Sequence, residues 1–257
     1  MPTAKENATS LYIEGILKGR PREAVAAYTG ARYTQHSTGV ADGQEGFIAF
    51  FEPFIERNPI RDFKFIRALQ DGPKVFLQVY QNINNGEAEW LTTDFFDSDG
   101  DGKIIEHWDV IAPIMPPNPS GRTQLDGPTE ITDLDKTDEN RALVTDFIET
   151  VLINRELDKV ADYVSAKTYI QHNPEVGDGL QSFLDLFSPE ACPLSYQECF
   201  MSVAEGNFVA TLNRASWDGQ DLCQVDLFRV EDGKIVEHWD NSEPVPPRAD
   251  WANSGKF

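Results

Sequence analysis

Hydrophobic and polar positions alternate between two periods, and they do so twice along the chain. Leu11, Tyr12, Ile16 and Leu17 recur at helical spacing behind Thr3-Ala4-Lys5-Glu6, which has the form of a capping box. This predicts a first helix over about 4–18, broken at Gly19-Arg20-Pro21. Residues 24–28 predict a short second helix and Tyr33 to His36 a short extended piece. Residues 44–57, with Phe47, Ile48, Phe50, Phe51 and Phe54, predict a third helix that Pro53 kinks or shortens. From Ile60 the period becomes strand-like. Segments near 61–69, 74–83, 87–97 and 103–114 are separated by Asp71-Gly72-Pro73, Asn84-Asn85-Gly86 and Gly100-Asp101-Gly102, the turn signals of an antiparallel meander.

The second half runs the same programme. Thr137 is placed as the cap of a helix whose first turn carries Asp138 and Glu139, and Leu143, Val144, Phe147, Ile148, Val151 and Leu152 form its stripe. Helices over 157–164 and 180–187 follow, with Tyr169 to His172 extended between them. Pro189 and Pro193 mark the entry to strands near 194–204, 207–216, 221–230 and 234–241. Between the halves, residues 115–128 hold four prolines and two glycines and read as a semi-rigid linker. The expected division is therefore a domain at 1–114, a linker at 115–136 and a domain at 137–257. The tail after Pro246 has no counterpart, and either packs back or is mobile.

The halves also repeat in letters. Gly233-Lys234-Ile235-Val236-Glu237-His238-Trp239-Asp240 matches Gly102-Lys103-Ile104-Ile105-Glu106-His107-Trp108-Asp109 at seven of eight positions. Tyr169-Ile170-Gln171-His172 echoes Tyr33-Thr34-Gln35-His36. All four histidines of the chain lie in these motifs. A period of half the chain means a duplicated domain rather than a solenoid.

Composition narrows the partners. A net charge of −21 repels phosphate backbones and anionic lipid, so neither nucleic acid nor a membrane surface is an expected partner. Met1 to Arg20 lacks an apolar signal core, and Cys192, Cys199 and Cys223 have no CxxC spacing; a cytoplasmic protein with reduced thiols is the expectation.

Asp226 interrupts an apolar strand, as Asp94 does in the first half, and a carboxylate buried there is costly unless paired or used. Desolvation would raise its pKa toward the range useful for proton transfer. His238 and Asp240 share one strand face, as do His107 and Asp109, with Trp239 and Trp108 on the other. His172 and His36 end the short strands. Asp97 to Gly102 opens like a calcium loop, but Trp108 stands where a bidentate Glu is required, and no His-x-His or HExxH spacing is present; no metal and no cofactor are expected. For the hairpin, a three-residue loop pairing Val230 with Lys234 would set Asp226 directly opposite His238, and a four-residue loop over 99–102 would set Asp94 opposite His107. A two-residue Asp-Gly loop would instead turn Asp226 away from His238.

The element order resembles the NTF2-like fold. Tyr169 to Pro174 and Asp226 to Asp240 resemble the SnoaL-like polyketide cyclase branch of that superfamily, with Ser37-Thr38 departing from Asn173-Pro174. The resemblance implies an α+β chain of two cones, each a curved, mostly antiparallel sheet packed on three helices. It also implies cofactor-free acid–base chemistry, an aldol cyclisation or isomerisation, on a small apolar carbonyl compound. Asp226 would move the proton, His238 and His172 would bind the enolate oxygen and Asp240 would orient His238; Asp94, His107, His36 and Asp109 would repeat these roles. The other expectation is a non-catalytic ligand-binding or scaffold protein. Single-domain relatives commonly pair through their sheets, so the halves are expected to form a pseudo-dimer, with a homodimer of the whole chain also open.

Overall fold

The structure is a computed structural model that describes residues 2–187 and 192–257. The chain divides into two compact units, unit 1 of Met1–Pro113 with Pro246–Phe257, and unit 2 of Ile114–Val245. Pro189, expected at the entry to the second sheet, lies outside the described residues.

In unit 1, α1 (Ala4–Ser10) is closed by the expected capping box and runs on as a π-helical stretch over Leu11–Leu17. Helix α2 (Pro21–Tyr28) begins earlier than expected, because Pro21 occupies the first turn, where no intrahelical N–H is needed. Strand β1 is Thr29–Gln35, and α3 (Gly43–Arg57) continues past Pro53. Strands β2 (Arg61–Asp71), β3 (Lys74–Ile83), β4 (Ala88–Ser98) and β5 (Ile104–Pro113) form the meander. The sheet order is β1-β5-β4-β3-β2, with β1 parallel to β5 and the other pairs antiparallel.

Unit 2 repeats this order with α4 (Thr137–Phe147, then a π-helical Ile148–Ile153), α5 (Val160–Tyr163), β6 (Ile170–Gln171), α6 (Leu180–Phe187), β7 (Leu194–Glu205), β8 (Phe208–Trp217), β9 (Gln220–Glu231) and β10 (Lys234–Pro244). Its sheet order is β6-β10-β9-β8-β7. Thr137 is not the cap. It lies inside the first turn, where its hydroxyl donates to Leu134 O and accepts from Gly206 N. Each unit is thus α+β, a mixed sheet whose one face is covered by helices. The stripes of α1 and α4 supply much of each core: Leu11, Tyr12 and Ile16 in unit 1, and Val144, Phe147, Ile148, Val151 and Leu152 in unit 2. Among the described residues no helix is long and apolar enough to cross a membrane.

The hairpin register differs from expectation. Lys234 pairs with Glu231, leaving a two-residue Asp232-Gly233 loop with both φ angles positive, at 51° and 70°. This is the tight hairpin turn that suits Asp-Gly. Ile235 then pairs with Val230 but Glu237 with Arg229, so Val236 is an extra residue, a β-bulge. His238 ends opposite Phe228, and Asp240, not His238, lies opposite Asp226. In unit 1, Ile104 pairs with Ser98 and Glu106 with Asp97; Ile105 is the extra residue, and Asp109 lies opposite Asp94. The tight loop alone would send His238 to the wrong face. The bulge adds one residue and restores the parity, so Asp226 and His238 share a face as diagonal neighbours. Expected and observed registers differ by two residues, which is why the face survives although the pairing does not. Arg229 Nε lies 2.7 Å from Glu237 Oε2, and Ile235 joins the core beside Phe228 and Val230.

Two segments wrap the sheets from outside the helix–strand repeat. In unit 2 the proline-rich segment is anchored by Asn118, whose Nδ2 donates to Gln171 O (2.6 Å) and Val176 O (2.9 Å) and whose Oδ1 accepts from Ser120 N and Arg122 N. In unit 1 the C-terminal tail uses Asn253 the same way: Nδ2 donates to Ser37 O (2.6 Å) and Val40 O (2.8 Å), and Oδ1 accepts from Gly255 N. The tail packs and belongs to unit 1. Gly255 has φ +106°, and a Cβ there would run into the Trp251 ring.

Replacing Asn118 with Ala should cost about 2–3 kcal/mol, because the buried amide serves four backbone groups. Urea denaturation of Asn118→Ala against the parent measures it; a loss below about 0.5 kcal/mol would show that the strap does not depend on this anchor.

Candidate active site

The repeated Asp–His–Asp trio of each unit faces the helices. In unit 1, Asp94 (β4) is 1% exposed. Its Oδ1 accepts from Tyr12 Oη (2.7 Å) and lies 3.0 Å from His107 Nε2. Tyr12 comes from the π-helical part of the first helix, and wider π turns often mark functional positions. His107 Nδ1 is 2.8 Å from Gln35 Oε1, since the parallel pairing of β1 with β5 sets Gln35 beside His107. Asp94 Oδ2 is buried with no hydrogen-bond partner among the described residues. Burial pushes the Asp94 carboxyl above the usual carboxylate range, against the pull of His107.

These groups line a cavity of about 240 Å³. Asp94, His107, Asp109, Gln35, Tyr12, Tyr33 and Gln81 supply its polar walls. Leu11, Ile16, Phe47, Phe51, Phe54 and Trp90 supply apolar walls, and Phe50 and Ile111, both large and exposed, stand at its edge. Burial and the nearby carboxylates raise the Tyr12 and Tyr33 hydroxyls, so both are protonated donors at neutral pH. Asp109 accepts from Lys256 Nζ at 2.8 Å. Burial acts to raise the Asp109 carboxyl, but Lys256 and His107 outweigh it and hold it below the usual value.

Unit 2 has the same trio with different company. Asp226 accepts from Tyr196 Oη (3.0 and 3.1 Å), Asn213 Nδ2 (2.8 Å) and Gln224 Nε2 (3.2 Å), and lies 2.9 Å from His238 Nε2. Both of its oxygens are engaged. The sheet register explains the contrast. Asn213 stands two residues along β8 from the partner of Asp226, where unit 1 has Val79; Gln224 stands where unit 1 has Thr92. Tyr196 replaces Phe63 on the neighbouring strand, and Ile148 fills the place of Tyr12 on the helix. The cavity here is about 60 Å³. Asp240 accepts from Asn173 Nδ2 at 2.6 Å, and burial raises its carboxyl against the pull of His238.

The structure brings together Asp94, His107 and Asp109 in one unit and Asp226, His238 and Asp240 in the other. It does not bring His36 or His172 to them. His36 lies on the opposite sheet face, stacked on Trp108 with centroids 4.5 Å apart, with Nε2 2.9 Å from Glu106 Oε1 and Nδ1 2.6 Å from Gly255 O. His172 stacks on Trp239 at 4.6 Å, with Nε2 2.9 Å from Glu237 Oε1 and Nδ1 2.7 Å from Thr123 O. Alternation along the short strand sends the histidine outward and the preceding glutamine inward. The donor role given to these two histidines is therefore corrected; they hold the straps. Nor does Asp240 orient His238. Gln171 Oε1 does, at 2.9 Å from Nδ1. Gln171 and Gln35 are legible in the duplicated Tyr-x-Gln-His motif, one residue before each histidine.

Asp226, His238 and Asp240 place one ligand-type atom each within 4.8 Å of one another. Those atoms are already bonded to each other or to Tyr196, Asn173 and Gln224, so a cation would have to displace them.

Burial lowers the His238 pKa, but its hydrogen bond and charge pairing with Asp226 outweigh this and raise it overall. A raised folded-state value means stabilisation that is complete below the unfolded value of about 6.5 and lost as pH rises through the folded one. The stability gap between the parent and His238→Gln should therefore shrink as pH rises above about 6.5 in thermal melts. A gap constant from about pH 6 to 9 would contradict the pairing.

No family model matches the chain, and no curated protein matches it. Among solved structures, it is similar to a ketosteroid isomerase-like protein from Kribbella flavida (20% identity, 44% of this chain and 87% of the other, TM-score 0.38). It is also similar to a SnoaL-like protein of the polyketide cyclase type from Jannaschia sp. (20%, 42% and 84%, TM-score 0.36). A third is an NTF2-like protein of unknown function from Cytophaga hutchinsonii (18%, 46% and 95%, TM-score 0.34). Each likeness spans less than half of the chain, the length of one unit. The solved structures to which the chain is similar are thus SnoaL-like and other NTF2-like proteins.

Proposed function

We propose that unit 1 is the working half, and that it performs acid–base chemistry on a small, largely apolar carbonyl compound. The unpartnered Asp94 Oδ2 in a cavity of about 240 Å³ carries this reading. A buried carboxylate oxygen without a donor is costly, and a substrate C–H presented to it gives it work. Tyr12 and His107 hold Oδ1, which leaves Oδ2 as the proton acceptor. Asp94 takes a proton from the carbon next to the carbonyl, and the electron pair of that C–H bond moves into an enolate. The raised Asp94 value brings base and carbon acid closer in strength.

The enolate oxygen needs donors, and His107 already spends Nε2 on Asp94. Tyr33 and Gln81 line the same cavity and supply a hydroxyl and an amide. Return of the proton to another carbon gives isomerisation; attack of the enolate on a second carbonyl of the same molecule gives an aldol cyclisation. The chemistry at Asp94 is shared by both.

Unit 2 supports a second reading for itself. Its carboxylate is saturated by its own side chains and its cavity is about a quarter as large, which fits a scaffold half. A ligand-binding role without turnover remains the alternative for unit 1.

Deuterium exchange at the α-carbon of small ketones such as 2-tetralone, followed by NMR in heavy water, tests the proton transfer without the natural substrate. Asp94→Asn should slow exchange by about 10²–10³-fold, and Asp226→Asn by less than about threefold. Equal loss in both variants would overturn the assignment to unit 1. Wild-type exchange no faster than buffer across a ketone panel would leave ligand binding in its place.

A further inference from the structure

Lys256, the penultimate residue, reaches unit 1 on the C-terminal strap and is 1% exposed. Its Nζ lies 2.8 Å from Asp109 Oδ1 and donates to Asp109 O at 2.5 Å. Asp109 lines the cavity beside Asp94 and His107. We propose that Lys256 is a positioning residue of this site: it fixes Asp109 as a carboxylate, so that the exchangeable proton of the cavity belongs to Asp94. The proposal rests on the reading of Asp94 as the base.

The duplication supplies the control. Asp240 occupies the same strand position in unit 2, opposite Asp226, and its direct partners are the neutral amides of Asn173 and Gln224. The two equivalent carboxyls are displaced in opposite directions, Asp240 upward and Asp109 downward. The sequence difference is local. Asn173 becomes Ser37, which is shorter by an amide, and the strap brings an ammonium to the carboxylate.

Two carboxyls and one imidazole share this space, and the charge on one controls the other. Asp109 is faced by His107 and Asp94, by Tyr12 from the first helix and Tyr33 from β1, by the Ser37 hydroxyl and by Lys256. Without the ammonium, Asp109 would compete for the proton that the base is meant to receive. With it, Asp109 stays charged and raises Asp94.

The test is a ¹³C NMR titration of the full chain labelled at the aspartate carboxyl carbon, with resonances identified through Asp94→Asn and Asp109→Asn. As pH falls, Asp94 should take its proton first, at least about one unit above Asp109. In Lys256→Met the Asp109 midpoint should rise by about two units and the order should be lost, while Lys256→Arg keeps it. A folded Lys256→Met with Asp109 moved by less than about half a unit overturns the proposal. So does a wild-type Asp109 that titrates above Asp94, a result that needs no variant at Lys256 to fold. The expected order together with undiminished exchange in Asp94→Asn would preserve the Lys256–Asp109 coupling and discard Asp94 as the base.

Discussion

A carboxylate buried in the middle of a sheet, with a cavity in front of it, constrains everything around it. Its negative charge has lost water and must be stabilised by donors from neighbouring strands and the first helix. Unit 2 meets the demand in full, with a tyrosine, two amides and an imidazole on Asp226. Unit 1 meets it on one oxygen and leaves the other open. The substitutions that make the difference are few: Asn213 for Val79, Gln224 for Thr92 and Tyr196 for Phe63. Each added donor also occupies space, which ties the saturated carboxylate to the smaller cavity. One fold can therefore carry an open site and a closed one by exchanging residues that never change the backbone plan.

The bulge is what allows the trio to exist. The Asp-Gly turn is locally favourable, and its register alone would place His238 behind the sheet. One inserted residue, Val236 or Ile105, reverses the face without altering the turn. That residue lies between Gly-Lys-Ile and Glu-His-Trp-Asp in both copies. The element order was legible from periodicity, and the shared face of Asp226 and His238 from alternation. The bulge was not, because an apolar residue in a strand gives no sign of being unpaired. A three-residue loop would reach the same face, but the chain uses a two-residue loop and a bulge instead. Gln35 and Gln171 stand in the repeat beside the histidines, but which face the end of each of their strands presents is set by its parallel partner.

His36 and His172 serve the face opposite the cavity. Each is held between a tryptophan face, a glutamate and a strap carbonyl: His36 with Trp108, Glu106 and Gly255, His172 with Trp239, Glu237 and Thr123. The repeat Glu-His-Trp-Asp thus serves both faces at once, Glu and Trp under the strap and His and Asp toward the cavity. Its near identity in the two copies follows from that double duty. A single substitution there would disturb both the packing of the strap and the polar end of the cavity.

The straps extend the duplication beyond the helix–strand repeat. Asn118 donates to the carbonyls of Gln171 and Val176 and Asn253 to those of Ser37 and Val40, and Val176 and Val40 are equivalent residues of the two units. The strap of unit 1 ends the chain, whereas the strap of unit 2 follows the last strand of unit 1. The extension that leaves each sheet therefore belongs to the other unit. This route also lets the two sites diverge, because the strap residues are free to change independently of the repeat they cover. Arg122 at the end of one strap pairs with Asp178 at the half-exposed surface, while Lys256 at the end of the other is buried on Asp109. A basic residue follows Ser-Gly in both straps, and only its depth differs. At the surface it contributes little to the titration of the site; buried beside a cavity carboxylate, it decides which carboxyl takes the proton.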